Sequence, residues 1–362
     1  MATISFARGA PSLDIVDVEG LKEASRLAFE NDPAGTTAYG TSVGYVPLRE
    51  WIAEQHGVAV EQVLVTNGSM QADAFLFELL VQQGDAVIVE NPTYDRTLLN
   101  LRGRGADVRM VDLEPDGISI DALKTVLGEA VHPKLAHIIP NFQNPAGYTL
   151  SAEKRTALLE LAVEHDFTIF EDDPYVAIRF EGESIPTMLS QDDAGRVVYA
   201  SSFSKTVCPG IRVGYLVGPQ AVIKQIQTLA TNTYISPNMV AQSIVNQFAR
   251  SGRMDGAIET VKTNLKARKD AVVNALQREI PDATFANPSG GYFMWVELPE
   301  GVDVAELEKA AAQREVQFVK GTDFGGGPNT LRLAYSGVTP EQIDEGITKL
   351  AEALKSLGVA AS

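Results

Sequence analysis

Five short polar clusters in this chain each follow an apolar, β-branched run. Val63–Thr66 leads into Asn67-Gly68-Ser69-Met70, Ala86–Glu90 into Asn91-Pro92-Thr93-Tyr94, and Lys134–Pro140 into Asn141-Phe142-Gln143-Asn144-Pro145-Ala146-Gly147. Phe167–Glu171 leads into Asp172-Asp173-Pro174-Tyr175, and Arg196–Ala200 into Ser201-Ser202-Phe203-Ser204-Lys205. A Gly-Ser turn opening a helix offers free N–H groups and a positive dipole end to a phosphate. The hydroxyls of Ser202 and Ser204 beside a lysine suit the same phosphate. A lysine in a polar pocket can form a Schiff base. A carboxylate can hold a ring nitrogen protonated, which makes the ring an electron sink. One Tyr with an Asn can hydrogen-bond a phenolic oxygen, and a second Tyr can stack on a flat ring. These requirements converge on pyridoxal 5′-phosphate.

Each cluster taken singly also fits a plainer role. A lysine is ordinarily a solvated charge. Asp172-Asp173 before Pro174 fits a capped turn, Gly68-Ser69 fits a simple helix N-cap, Arg332 fits a strand ion pair and Tyr39 fits the core. Cys208 reads as a packing residue. The four histidines, His56, His132, His137 and His165, are dispersed and suggest no metal site.

The elements that must position these residues read as strand–helix–strand. The apolar runs predict strands at Val63–Thr66, Ala86–Glu90, Asp107–Asp112, Lys134–Pro140, Phe167–Glu171, Arg196–Ala200 and Ile211–Val217. Helical patterns such as Met70–Gln82 and Ala152–His165 lie between them, the second with Ser151 at its start. This rhythm predicts an α/β protein whose large domain holds a mainly parallel seven-stranded sheet with helices on both faces. The near-continuous apolar strands agree, since such a sheet is buried on both sides. In such a sheet ligands bind beyond the carboxyl ends of the strands, so the five clusters would load one edge. From Pro237 the pattern becomes helical to Glu279, with a break at Ser251-Gly252. Strands at Tyr292–Leu298, Val316–Val319 and Thr330–Ala334, with helices at Val304–Arg314 and after Pro340, then predict a smaller α+β domain. The expected division is an N-terminal arm and helix over residues 1–35 packing with the small domain, a large domain over 36–255 and a small domain over 256–362.

Composition narrows the function classes. The 362 residues carry 30 Lys+Arg against 47 Asp+Glu, a formal charge of −17. That charge repels phosphate backbones and anionic lipid, so neither nucleic acid nor membrane is an expected partner. A single cysteine forbids an intrachain disulfide. No apolar run approaches the ~18 residues of a membrane span, and no basic stretch followed by an apolar run marks the N-terminus. The expectation is a cytoplasmic protein.

The ordered set of motifs resembles the class I/II pyridoxal-phosphate-dependent aminotransferases of fold type I, in particular the branch of 2-aminoadipate and kynurenine aminotransferases. The matching stretches are YGTSVGYVPLR at 39–49, TNGSMQ at 66–71, NPTY at 91–94, NFQNPAG at 141–147 and EDDPY at 171–175. They continue with SFSKTVCPGIRVG at 202–214, GGYFMW at 290–295 and LRLAYS at 331–336. The resemblance implies a transfer of the α-amino group of an L-amino acid to a 2-oxo acid, with 2-oxoglutarate or pyruvate as acceptor, by a ping-pong route. It implies that Lys205 carries the cofactor and moves the proton between the substrate Cα and the cofactor C4′. Asp172 would pair with the ring nitrogen, Tyr175 and Asn144 with the ring oxygen, and Tyr94 would stack on the ring. Gly68, Ser69, Met70, Ser202, Ser204 and Arg212 would cradle the phosphate, and Tyr39 would reach it from the other subunit of a homodimer. Arg332 and Asn144 would bind the substrate α-carboxylate, with Gly9 against the bound substrate. A β-lyase or decarboxylase on the same scaffold would keep the cofactor residues. A DNA-binding regulator would need a basic segment that is missing before residue 40. Three positions depart from the family pattern: Met70 replaces a Thr or Gln, Lys320 stands in the small-domain Val-Pro-Gly motif, and Arg8 precedes Gly9. Either of these two cations would suit a distal substrate carboxylate.

Overall fold

Successive side chains along a strand point to opposite faces, and the apolar runs of this chain use that alternation to build two cores on one sheet. Val87, Val89, Leu135, Phe170 and Val198 enter one apolar cluster, while their neighbours Ile88, Ala136, Ile169 and Val197 enter another. The computed structural model describes residues 3–129 and 131–358. Its large sheet has eight strands in the order Val63–Thr66, Gly214–Val217, Val197–Ser202, Thr168–Asp172, Leu135–Ile138, Ala86–Asn91, Asp107–Glu114 and Gly117–Ile118. Gly214–Val217 runs antiparallel to both neighbours, and Gly117–Ile118 is antiparallel to Asp107–Glu114; the other pairings are parallel. The predicted seven strands are all present. The eighth is a two-residue return of a hairpin, too short to leave an alternation in the sequence.

The strand predicted over Ile211–Val217 begins late, at Gly214. Pro209–Ile211 forms a 3-10 turn instead, and Arg212 takes a left-handed conformation with φ 51°. That kink separates Arg212 from the strand and turns it toward Ser204. Other boundaries follow local chemistry. Ser151 accepts the Lys154 N–H and caps the helix Ala152–Glu164. Ser69–Leu80 starts directly after Gly68, whose φ of 73° brings the chain out of the sheet. The break at Ser251-Gly252 separates Met239–Arg250 from the 27-residue helix Arg253–Glu279, with Gly252 at φ 78°.

The second sheet is antiparallel, in the order Thr284–Phe285, Phe293–Glu297, Thr330–Ala334 and Val319–Lys320. Its core takes in the helices Arg253–Glu279, Val304–Ala312 and Pro340–Ser356. The predicted strand Val316–Val319 is split. Val316–Gln317 pairs instead with Ile4–Ser5 of the arm, in parallel. Ile4, Phe6 and Ile15 join this second core. The helix Val18–Asn31 goes elsewhere: it packs on Met239–Arg250, and its Ala24 lies with Tyr45, Leu48 and Phe248 against the large sheet. Arm and helix, grouped together in the sequence reading, therefore have different neighbours. Among the described residues, no helix is long and apolar enough to cross a membrane.

Candidate active site

The loaded edge predicted from the sequence is a cavity of about 150 Å3 at the ends of the large sheet's strands. Ser69, Met70, Tyr94, Asn144, Asp172, Tyr175, Ser202, Ser204, Lys205 and Arg212 all line it, with Ile139 and Pro174. Residues from five separate connections therefore meet in one place.

At one end, the helix Ser69–Leu80 presents its first turn, where N–H groups have no partner within the helix. Arg212 donates from Nη1 to Ser204 Oγ at 3.0 Å, and Ser202 Oγ accepts the Ser204 N–H at 3.1 Å. Gly68 lets the arginine approach: a Cβ there would stand 2.2 Å from Arg212 Nη2. A guanidinium, two hydroxyls and a helix start on one wall make an anion cradle.

Lys205 stands beyond this cradle. Its Nζ donates to the Gly9 carbonyl at 2.6 Å and lies 5.0 Å from the centre of the Tyr292 ring. Burial, with help from the Arg332 and Arg212 cations, pushes its ammonium down to about 8, while Asp172 acts in the opposite direction. An amine of that kind is far more often neutral at mildly alkaline pH than a surface lysine, and so is a competent nucleophile and base. The Tyr292 hydroxyl donates to the Lys205 carbonyl at 3.0 Å and fixes the backbone beneath it.

Arg332 lies on the far side, on the second sheet. It is buried between Phe293 and Phe324, whose ring centres are 4.4 and 4.7 Å from its guanidinium carbon. Nη1 donates to Asn144 Oδ1 at 2.8 Å and Nη2 to the Ala7 carbonyl at 2.7 Å, while the buried Nε–H has no partner. Burial lowers the group to about 10, so it remains a cation at neutral pH. A buried, stacked cation with a spare N–H is a receptor for a carboxylate.

Asn144 is held by a buried turn. Gln143 Oε1 accepts the Ala146 N–H at 2.8 Å, and Gln143 Nε2 donates to Glu90 Oε2 at 3.1 Å, which also accepts the Ile139 N–H at 3.1 Å. On the side of Glu171 and Asp173, Arg155 is fully buried and donates to the Leu150, Pro186 and Pro140 carbonyls and to Asn141 Oδ1. Asn141 Nδ2 in turn donates to Asp173 Oδ2 at 2.8 Å, so Asp173 faces the interior scaffold and Asp172 the cavity.

Of the predicted site residues, Gly68, Gly9 and Arg332 sit one contact behind the lining, and Tyr39 stands apart, 91% exposed. Lys320 is tied to Glu308 at 2.9 Å, which compensates its charge. His137 and Asp73 lie outside the motifs that mark the site in the sequence. His137 Nε2 lies 3.4 Å from Asp172 Oδ2, and one polar atom from each of Asp73, His137 and Asp172 falls within 4.8 Å of the others. A histidine in the middle of an apolar strand and an acid flanked by alanines on an apolar helix are the signals that could have found them.

Does this site fit pyridoxal phosphate? Asp172 is 4% exposed and its Oδ1 has no partner. A buried orphan carboxylate oxygen, an anion cradle and a lysine of lowered basicity share one cavity, which is the donor set the cofactor requires.

Residues 3–350 match the family Aminotransferase class I and II. The aromatic-amino-acid aminotransferase 1 of Thermococcus litoralis is 33% identical over 97% of this chain and 88% of its own length. The kynurenine aminotransferase of Pyrococcus horikoshii, solved with PMP, superposes with a TM-score of 0.95 at 31% identity, covering 99% of this chain and 92% of that one. The α-aminoadipate aminotransferase of Thermus thermophilus, carrying N-(5′-phosphopyridoxyl)-L-leucine, gives 0.93 at 31% identity, over 98% and 92%. The chain belongs to the class I and II aminotransferases, and is an amino-group-transferring enzyme of fold type I with pyridoxal phosphate as its cofactor.

Proposed function

We propose that this enzyme moves the α-amino group of an L-amino acid to 2-oxoglutarate or pyruvate by a ping-pong route, with each side chain of the cavity in the role its position suits. Bound pyridoxal phosphate supplies an electron sink for the charge that develops when a substrate α-carbon loses its proton. Lys205 holds the cofactor and, when its amine is free, takes the proton from the substrate Cα; its lowered basicity supports that role. Asp172 would meet the ring nitrogen, Tyr175 and Asn144 would bind the ring oxygen, and Tyr94 would pack on the ring. Gly68, Ser69, Met70, Ser202, Ser204 and Arg212 bind the phosphate. Arg332 and Asn144 bind the α-carboxylate common to both substrates, beside Gly9.

The single observation that carries this reading is the span from Lys205 to Arg332. One lowered amine and one buried, stacked guanidinium flank a cavity whose floor is the Asp172 carboxylate. The arm closes the assembly by accepting from both cations, through the Gly9 and Ala7 carbonyls. The working unit is a homodimer in which Tyr39 reaches the other subunit's phosphate. Its 91% exposure, with Arg212 and Met70 also exposed at the phosphate end, supports that placement. Residues 36–255 act as the large domain and 256–362 as the small one, and the enzyme works in the cytoplasm. The printed activities of the relatives make aromatic amino acids, kynurenine and 2-aminoadipate the first donors to try. Purified enzyme assayed against those donors with 2-oxoglutarate and with pyruvate should exchange amino groups. Release of ammonia or carbon dioxide without exchange would overturn the reading.

A further inference from the structure

Three titratable side chains meet in a dry space behind the cofactor cavity. Asp73 comes from the second turn of the helix Ser69–Leu80, where it stands among Phe75, Leu76 and Phe77. His137 comes from the strand Leu135–Ile138, and Asp172 ends the adjacent strand Thr168–Asp172. Their exposures are 2%, 0% and 4%. The His137 ring lies edge-on to Phe77 and Phe170, at 6.1 and 5.2 Å between centres. Apolar walls thus surround the group on the side away from the cavity.

Four polar atoms here lack a hydrogen-bond partner: Asp73 Oδ1, both ring nitrogens of His137 and Asp172 Oδ1. Buried polar groups are normally satisfied, so a cluster of orphans in one spot calls for an explanation. The cavity-facing orphan, Asp172 Oδ1, is explained by the cofactor's ring nitrogen. Asp73 cannot be explained that way, because it lies behind Asp172.

The other titratable and charged groups nearby are engaged. Glu90 accepts from Ile139 and Gln143, and Asp173 from Asn141. Lys205 donates to Gly9, and burial keeps the Tyr94 and Tyr175 hydroxyls protonated. The acceptors left for Asp73 are Asp172 and the imidazole. Two carboxylates this close and this dry do not both ionise. Burial, with the Asp172 charge added, holds Asp73 well above the ordinary carboxylate range. An acid that keeps its proton is a donor.

We propose that Asp73 is a positioning residue for the transamination: as a neutral acid beside His137 it donates toward Asp172, and so fixes the orientation and negative charge that Asp172 presents to the cofactor's ring nitrogen. The inference rests on the reading of Asp172 given above. Removal of the donor leaves the Asp172 anion less well solvated, so the ring nitrogen loses part of its counter-charge. The effect falls on the chemistry rather than on substrate binding, because Asp73 touches no substrate.

The test compares the holoenzyme with Asp73→Leu, Asp73→Ala and Asp73→Asn, and with Asp172→Asn as control. Three quantities are read: the pH midpoint of the bound cofactor's visible absorbance change, kcat, and KM for the amino acid. Leu and Ala should each lower kcat about 10-fold, leave KM within about 2-fold and move the absorbance midpoint upward by at least about half a pH unit. Asn, which keeps a donor, should restore kcat to within about 3-fold of the wild type. If Leu does not fold, Ala carries the same comparison. Unchanged absorbance and kcat in the folded Leu or Ala variant would overturn the proposal, as would an Asn variant no better than Ala. Failure of the underlying reading looks different: Asp172→Asn would itself leave absorbance and kcat unaltered.

Discussion

Substitution of Arg332 by lysine isolates what a planar cation does that a point charge cannot. The guanidinium is buried, stacked between Phe293 and Phe324, and already committed at Nη1 to Asn144 and at Nη2 to the Ala7 carbonyl. It still has spare N–H groups for a carboxylate, including the orphan Nε–H. Lysine keeps the charge but gathers three donors on one atom, with no fork and a weaker fit between two rings. At least one charge-assisted hydrogen bond to the substrate is lost, a cost of about 1.5–3 kcal/mol. Reduced cation–π contact adds about 0.5–1 kcal/mol. At ~1.4 kcal/mol per tenfold, Arg332→Lys should lower kcat/KM by roughly 30- to 700-fold. Both half-reactions should suffer alike, because donor and acceptor share the α-carboxylate. Cofactor affinity should stay within about 3-fold, since Arg332 lies away from the phosphate cradle. The assay is steady-state kinetics with donor and acceptor varied separately, alongside cofactor titration of the apoenzyme. A kcat/KM within about 3-fold of wild type, or a loss confined to one substrate, would refute the carboxylate role.

Two further perturbations follow from the same geometry. Burial pushes Glu90 up to about 8 from the ordinary 4.5. The folded state therefore holds a proton that the unfolded chain releases, and wild-type stability falls as pH rises from about 4.5 to 8. Glu90→Gln keeps an acceptor for Ile139 and Gln143 and removes that titration, so its Tm relative to wild type should climb across this window; calorimetry at pH 5 and 8.5 giving one constant difference would contradict it. For Tyr39, hybrids of Tyr39→Phe and Lys205→Ala subunits carry both lesions in one site and neither in the other if Tyr39 acts across the dimer. Mixed and refolded subunits should regain activity that neither parent shows; no recovery in a confirmed hybrid would place Tyr39 in its own subunit's site.

The path from sequence to site was shortest where local chemistry and tertiary position agree. Val63–Thr66 and Thr330–Ala334 form as predicted because their apolar runs are bounded by polar turn residues and buried on both faces. Ser151 caps its helix because its hydroxyl accepts the free Lys154 N–H of the first turn. Residues at strand ends, such as Asp172, Asn144 and Lys205, could be gathered in advance because one rule governs where a parallel sheet binds its ligand. Failures came where neighbours distant in sequence decide. Arg212 leaves its predicted strand because the kink aims it at Ser204. The helix Val18–Asn31 departs from its arm because it packs on Met239–Arg250 and its Ala24 joins the cluster of Tyr45, Leu48 and Phe248. His137 and Asp73 look like stray polar residues in apolar segments until sheet register brings them to Asp172. A periodic pattern says which face is buried, not which polar group waits there.

The central claim is that Lys205 is the amine that carries the cofactor. Hydride reduction of the holoenzyme makes a lysine–cofactor link permanent, and peptide mass mapping then locates it. The account predicts a phosphopyridoxyl mass increment on the peptide spanning Ser202-Phe203-Ser204-Lys205, with fragmentation placing it at Lys205. An increment on any other lysine, or bound cofactor that stays non-covalent throughout, would contradict it.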